Sequence, residues 1–116
     1  ASGWSYVMQQ LKETAKGRKL HFVLGFADDK DLKALVDLLP EHNSLTLCKP
    51  DVPRGMPVEK LQKSLHEFGL KSMAKGSVAE AIDHALNLAE SEDVVYIGGS
   101  TFVVAETLVK FDLLNT

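Results

Sequence analysis

Three short apolar runs constrain the fold of this chain more than any other feature: residues 20–24 (LHFVL), 45–48 (LTLC) and 94–97 (VVYI). Each is four or five residues long, without the sustained polar alternation of a strand that has one wet face. Sequence of helical period separates them. Such runs suit strands covered on both faces, and helical connections bring successive strands into parallel order. The expected fold class is therefore α/β, a three-layer domain with a mainly parallel sheet flanked by helices.

The helical segments are legible from their apolar spacing. Trp4, Val7, Met8, Leu11 and Ala15 share one face, which Gly17 ends, and Trp4 and Tyr6 are expected to pack that helix. Leu32, Leu35, Val36 and Leu39 share another, stopped by Pro40. Val58, Leu61, Leu65 and Phe68 make a third behind Pro57, expected at the first helical position, where its missing N–H is not needed. Ser77 and Glu80 have capping-box spacing and open a helix whose expected buried stripe is Val78, Ala81, Ile82, Ala85, Leu86 and Ala89. Residues 70–73 make a weaker fourth strand and 100–109 a last helix. A length of 116 residues suits a single domain over 1–116.

Composition excludes several classes of function. Apolar residues at 45% and charged residues at 25% describe a folding chain. A net charge of -3 with scattered lysines gives no nucleic-acid footprint and points to a small ligand. Cys48, the sole cysteine, allows no internal disulfide, fits a reducing compartment, and reads as a small apolar residue and not a nucleophile. No apolar run approaches a membrane span, so no membrane association and a cytoplasmic location are expected. His21 falls in a strand, as a core or edge histidine. His42, His66 and His84 have no partner at metal-ligand spacing, and no metal site is expected. Neither a GxxxxGK[ST] phosphate loop nor a nucleophile elbow is present.

Right-handed crossovers put every strand-to-helix loop on one edge of such a sheet, the edge where open α/β sheets bind ligands. Three loops gather there: 25–31, 49–57 and 98–101. Gly98 and Gly99 permit a sharp turn with room for a ligand, and Ser100 or Thr101 can cap the following helix, whose free N–H groups suit a carboxylate or phosphate. A tight capped turn without ligand is the plain alternative. Lys30 sits among Asp28, Asp29 and Asp31 at a helix start, where a cation opposes the dipole. It either holds an anion or is merely neutralised by its neighbours. Arg54 stands in KPDVPRGMP, where three prolines limit the entropy lost on fixing it. It is a candidate for bidentate carboxylate or phosphate binding, or an ordinary surface residue.

The segments LHFVLGFADDKDL, PDVPRG, SVAEAIDHAL and DVVYIGGSTFVVAETL, taken together, resemble the carboxy-terminal domain of the folylpolyglutamate synthase/dihydrofolate synthase family of the Mur ligase superfamily. The resemblance runs in order from about Gly3 to Leu108. It implies a Rossmann-like domain of an ATP-dependent amide ligase. In such enzymes ATP phosphorylates a carboxylate of the pterin or folate substrate and the amine of L-glutamate displaces phosphate. By motif position Lys30, Arg54, Ser100 and Thr101 are implied to meet glutamate or the closed site, with Asp29 and Asp31 orienting Lys30 and Gly98 and Gly99 supporting the turn.

The same resemblance implies that the amino-terminal ATPase domain, which binds ATP and Mg2+, is missing. The family's D-G/T-x-H-N signature is missing too. This chain alone is then expected to carry no catalytic residue, bind no cofactor and be inactive. Removal of a preceding central strand is expected to leave a gap, closed by the sheet or covered by self-association, with the Trp4 helix poorly anchored. Two rival readings are a non-catalytic Rossmann-like module for a small ligand or nucleotide, and a receiver domain built around Asp28 and Asp29.

Overall fold

The structure, a computed structural model, describes residues 2–28 and 31–111. In chain order its elements are α1 (Ser2–Thr14), β1 (Leu20–Gly25), α2 (Leu32–Val36), β2 (Ser44–Leu47), α3 (Val58–Glu67), β3 (Met73–Ala74), α4 (Val78–Leu88), β4 (Val94–Gly99) and α5 (Thr101–Lys110). The strands form one parallel sheet in the order β3-β2-β1-β4. The three apolar runs at 20–24, 45–48 and 94–97 each form a strand. The weaker one expected at 70–73 is displaced: the edge strand is Met73–Ala74 and shares only Met73 with it.

The sheet is covered on both sides, as its apolar runs require. Leu20, Phe22 and Leu24 of β1 pack with α1, α2 and α3, while Val23 packs with α4 and Val103 of α5. Phe22 and Val23 are both fully buried, so successive side chains of one strand enter opposite cores. β4 is an edge strand and is mostly half-buried.

Local signals act largely where expected. Gly17 follows α1 in a left-handed conformation (φ 79°). Ser77 caps α4 by accepting the Glu80 N–H at 3.2 Å, and its hydroxyl bonds the Glu80 carboxylate in turn. Five expectations change. Helix α2 ends at Val36 with Asp37 as its C-cap, short of Leu39, so Pro40 is not its stop. Tyr6 is 67% exposed and Val7 is also on the wet side, so α1 packs through Trp4, Met8, Leu11 and Ala15. Leu86 points away from the core at 46% exposure and Ala89 is the C-cap, because α4 lies on the sheet along a narrower stripe of small residues. Pro57 takes the N-cap position, one residue earlier than expected. Phe68, past the end of α3, is largely exposed.

The gap expected at the sheet centre is not there. β1 and β4 pair directly over six residues, Leu20↔Val94 to Gly25↔Gly99. The Trp4 helix is held: the indole N–H donates to the Leu35 carbonyl at 3.2 Å, and the ring meets Phe26 and Tyr96 edge-on at 6.0 and 6.5 Å. A strand preceding α1 therefore has no vacant place between β1 and β4, and the driving force assigned to that gap disappears. The order β3-β2-β1-β4 is that of a Rossmann half-sheet. A receiver domain would instead place β1 between β2 and β3.

Candidate functional site

A parallel sheet whose chain passes β1, β2, β3 and then jumps back to the far side of β1 has its switch point between β1 and β4. The crevice outside the strand ends at a switch point is where α/β folds bind ligands. Register puts the ends together: Gly25 pairs with Gly99, and Leu24 with Leu47. All three candidate loops leave from this rim.

The segment after β1 ties the other two loops to itself. The Asp28 N–H donates to the Arg54 carbonyl and the Met56 N–H to the Phe26 carbonyl, both at 2.8 Å, making a short antiparallel bridge between Ala27 and Gly55. On the other side the Ser100 N–H donates to the Gly25 carbonyl at 2.9 Å. Arg54 and Ser100 thus flank one segment on one rim, Arg54 exposed and Ser100 buried. Lys30 and Asp29 lie outside the described residues. Asp31 has a definite task, capping α2 by accepting the Ala34 N–H at 3.3 Å.

The two glycines before α5 are required by packing. Gly99 has φ 104°, and a Cβ there would run into the Gly25 carbonyl and, at 2.8 Å, the Phe26 ring. At Gly98 a Cβ would meet the Tyr96 ring, with the hydroxyl at 2.7 Å. At both glycines the position a Cβ would take is already occupied by protein. The helix start is similarly engaged: Ser100 is the cap, its hydroxyl accepting the Phe102 N–H at 3.1 Å and its carbonyl the Val103 N–H at 3.1 Å. The Phe102, Val103 and Val104 N–H groups of that first turn are all engaged by Ser100.

Three residues that shape the rim carry no sequence signal. Lys49 donates its ammonium to the Pro50 carbonyl at 3.4 Å and the Val52 carbonyl at 3.1 Å, cross-bracing the proline loop from within. Glu106 of α5 accepts the Asp51 N–H at 2.7 Å across 55 residues, fixing the Arg54 loop to the helix that Ser100 begins. Lys60 of α3 pairs with Asp28 at 2.8 Å beside an open hollow of about 350 Å³ that Asp31 and Ser64 also line. The Glu106 and Lys60 contacts join residues far apart in the chain, beyond the reach of any periodicity, and the Lys49 brace, though local, follows no repeating pattern.

The remaining candidates are structural. Cys48 is fully buried, its thiol donates weakly to the Leu24 carbonyl at 3.6 Å, and its pKa is pushed up to about 12 by burial, with the Glu106 charge adding. It is an inert thiol. His21, 4% exposed, bonds the Ser44 hydroxyl at 2.7 Å and the Asp93 carboxylate at 2.8 Å, at the end of the sheet opposite the rim. Its ring is satisfied on both nitrogens. Asp93 is held below the usual carboxylate range chiefly by the Glu90 N–H and then by His21. Among the described residues no three His, Cys, Asp or Glu side chains gather as a metal site, and no helix is long and apolar enough to cross a membrane.

The Mur ligase, glutamate ligase domain family matches residues 2–101. A probable bifunctional folylpolyglutamate synthase/dihydropteroate synthase of Haloferax volcanii is 40% identical over 88 residues, covering 75% of this chain and 10% of that protein. Escherichia coli FolC, solved in complex with DHPP and ADP, superposes with a TM-score of 0.84 at 26% identity over 97% of this chain and 27% of that one. A bifunctional folylpolyglutamate synthase/dihydrofolate synthase with Mn, AMPPNP and L-glutamate bound gives a TM-score of 0.82 at 23% identity over 94% of this chain and 26% of that one, a likeness of fold alone. The chain thus spans only a tenth to about a quarter of the length of these relatives.

Proposed function

The chain belongs to the Mur ligase, glutamate ligase domain family, and on that premise we propose that it is the glutamate-binding, closing domain of a cytoplasmic ATP-dependent amide ligase. The ligase joins L-glutamate to a carboxylate of folate or dihydropteroate through an acyl phosphate. The observation that carries this reading is the strapping of the three rim loops. Hydrogen bonds from Asp28 to Arg54 and from Ser100 to Gly25 bring an exposed guanidinium and a capped helix start to either side of the switch point.

Arg54 is the principal glutamate ligand in this reading. Its planar fork matches a carboxylate bidentately, and the bridge at Gly55 with the Lys49 brace holds the loop before glutamate arrives, limiting the entropy lost on binding. Lys30 supplies a second cation for the other carboxylate, oriented by Asp29 and Asp31. Ser100 and Thr101 contribute the short polar edge near the helix start. The chain's part in the chemistry is to hold the amine of glutamate at the acyl carbon and to exclude water.

The rim does not fit a catalytic ATP–Mg2+ complex: the sequence holds no phosphate loop, and the described residues gather no group of three acidic, His or Cys side chains that could hold the metal. Those groups belong, in this reading, to an amino-terminal ATPase domain that is this chain's partner. The chain alone is inactive. Should it self-associate, the outer edge of β4, which pairs with no strand among the described residues, is where pairing would begin.

The test is Arg54→Ala in the full-length ligase. Losing a charged hydrogen bond of about 1.5–3 kcal/mol raises the glutamate KM roughly ten- to hundredfold with the ATP KM nearly unchanged. Equal increases in both would refute a role in binding glutamate.

A further inference from the structure

A cleft of about 1000 Å³ opens at the amino-terminal ends of β1 and β2, the end of the sheet opposite the rim. Its cationic side is formed by Lys12, Lys16 and Arg18, all exposed, and none has a carboxylate partner among the described residues. Lys12 lies in the last turn of α1, and Lys16 and Arg18 lie in the turn that follows Thr14. The α1 dipole favours a cation at this end but does not by itself call for three around one opening.

The other side of the cleft is apolar: Val36, Leu39 and Leu70 line it half-buried. It is also rigid. Asn43 and Leu20 exchange two hydrogen bonds, Asn43 N–H to the Leu20 carbonyl at 2.7 Å and Leu20 N–H to the Asn43 side-chain carbonyl at 3.0 Å. The His42 ring is fixed by donating from Nδ1 to the Pro40 carbonyl at 3.0 Å and by lying edge-on to Phe22, which leaves two flat rings, of Pro40 and His42, in the lining. Glu41 is the lone acid there.

Three unpaired cations beside a fixed apolar floor select for an anion that carries a flat apolar body. Multiple donors around one opening suit a dianionic phosphate better than a single carboxylate. We propose that this cleft binds a small phosphate ester of an aromatic compound, with its phosphate between Lys16 and Arg18 and its ring on Leu39 and Pro40. The site is independent of the glutamate rim and stands or falls without it.

The experiment is an amide NMR titration of this chain with three probes: AMP, adenosine and inorganic phosphate. AMP is expected to shift the amides of residues 16–20 and 41–43, with adenosine and phosphate each binding at least tenfold more weakly. Lys16→Glu with Arg18→Glu, at two exposed positions, should weaken AMP at least tenfold while leaving the thermal midpoint and the spectrum of the rim unchanged. The proposal is overturned if phosphate alone binds as well as AMP, which would mean a surface ion cluster. It is equally overturned if adenosine alone does, if none of those amides moves, or if AMP shifts the rim around Ser100 regardless of the double substitution.

Discussion

Replacing Gly99 by Ala should damage this fold far more than the same change at Gly98, although the two are adjacent in one strand. Gly99 has φ 104°, where an L side chain is strained by about 1–3 kcal/mol whatever its surroundings. The added methyl would also meet the Gly25 carbonyl, a backbone atom already accepting the Ser100 N–H at 2.9 Å. Moving that carbonyl weakens a hydrogen bond worth about 0.5–1.5 kcal/mol. The sum is about 3 kcal/mol. For a chain of this size that lowers the thermal midpoint by roughly 12 °C. Gly98 has an ordinary φ, and its obstacle is the Tyr96 ring, whose hydroxyl end can swing away; about 1–1.5 kcal/mol is expected there, within the usual cost of overpacking. Thermal unfolding followed by circular dichroism, with both variants under one set of conditions, measures the difference. Equal losses at the two positions would refute the argument that backbone approach at the β1–β4 rim, and not bulk near the motif, demands Gly99.

Further outcomes follow from the polar contacts. The Glu90 N–H and the His21 ring hold the Asp93 carboxylate below its ordinary pKa in the folded chain, so its contribution to stability is complete above the unfolded pKa and is lost as pH falls through the folded one; Asp93→Asn should flatten the acid limb of a stability–pH curve, and an unchanged limb would sink the assignment. Cys48, with a pKa of about 12, holds about one part in ten thousand thiolate at pH 8, so its reaction with a thiol reagent should follow unfolding, and rapid labelling of the native chain would contradict its burial. Glu106→Ala removes an exposed charge-assisted hydrogen bond of about 1 kcal/mol and should raise amide exchange in the 50–55 loop while leaving exchange in β1 as it was.

Local chemistry was readable wherever a signal repeats within a few residues. The apolar runs of β1, β2 and β4, the capping pair Ser77 and Glu80, and the stop at Gly17 all act within a few neighbouring residues, and the expected element stands at each. The rim was legible as well, since a parallel strand-helix pattern puts its loops on one edge whatever the strand order. Contact partners were not legible. Gly98 and Gly99 were legible as a turn, and the neighbours that forbid a side chain there, Tyr96, Gly25 and Phe26, are known only once β4 lies against β1. Asp93 meets His21 across 72 residues and Glu106 meets Asp51 across 55, distances over which no periodicity survives. Secondary structure answers to a period written along the chain. Strand order, the engagement of a helix start and the partner of a buried histidine answer to which distant segments exclude water together, and that is decided only when the layers close.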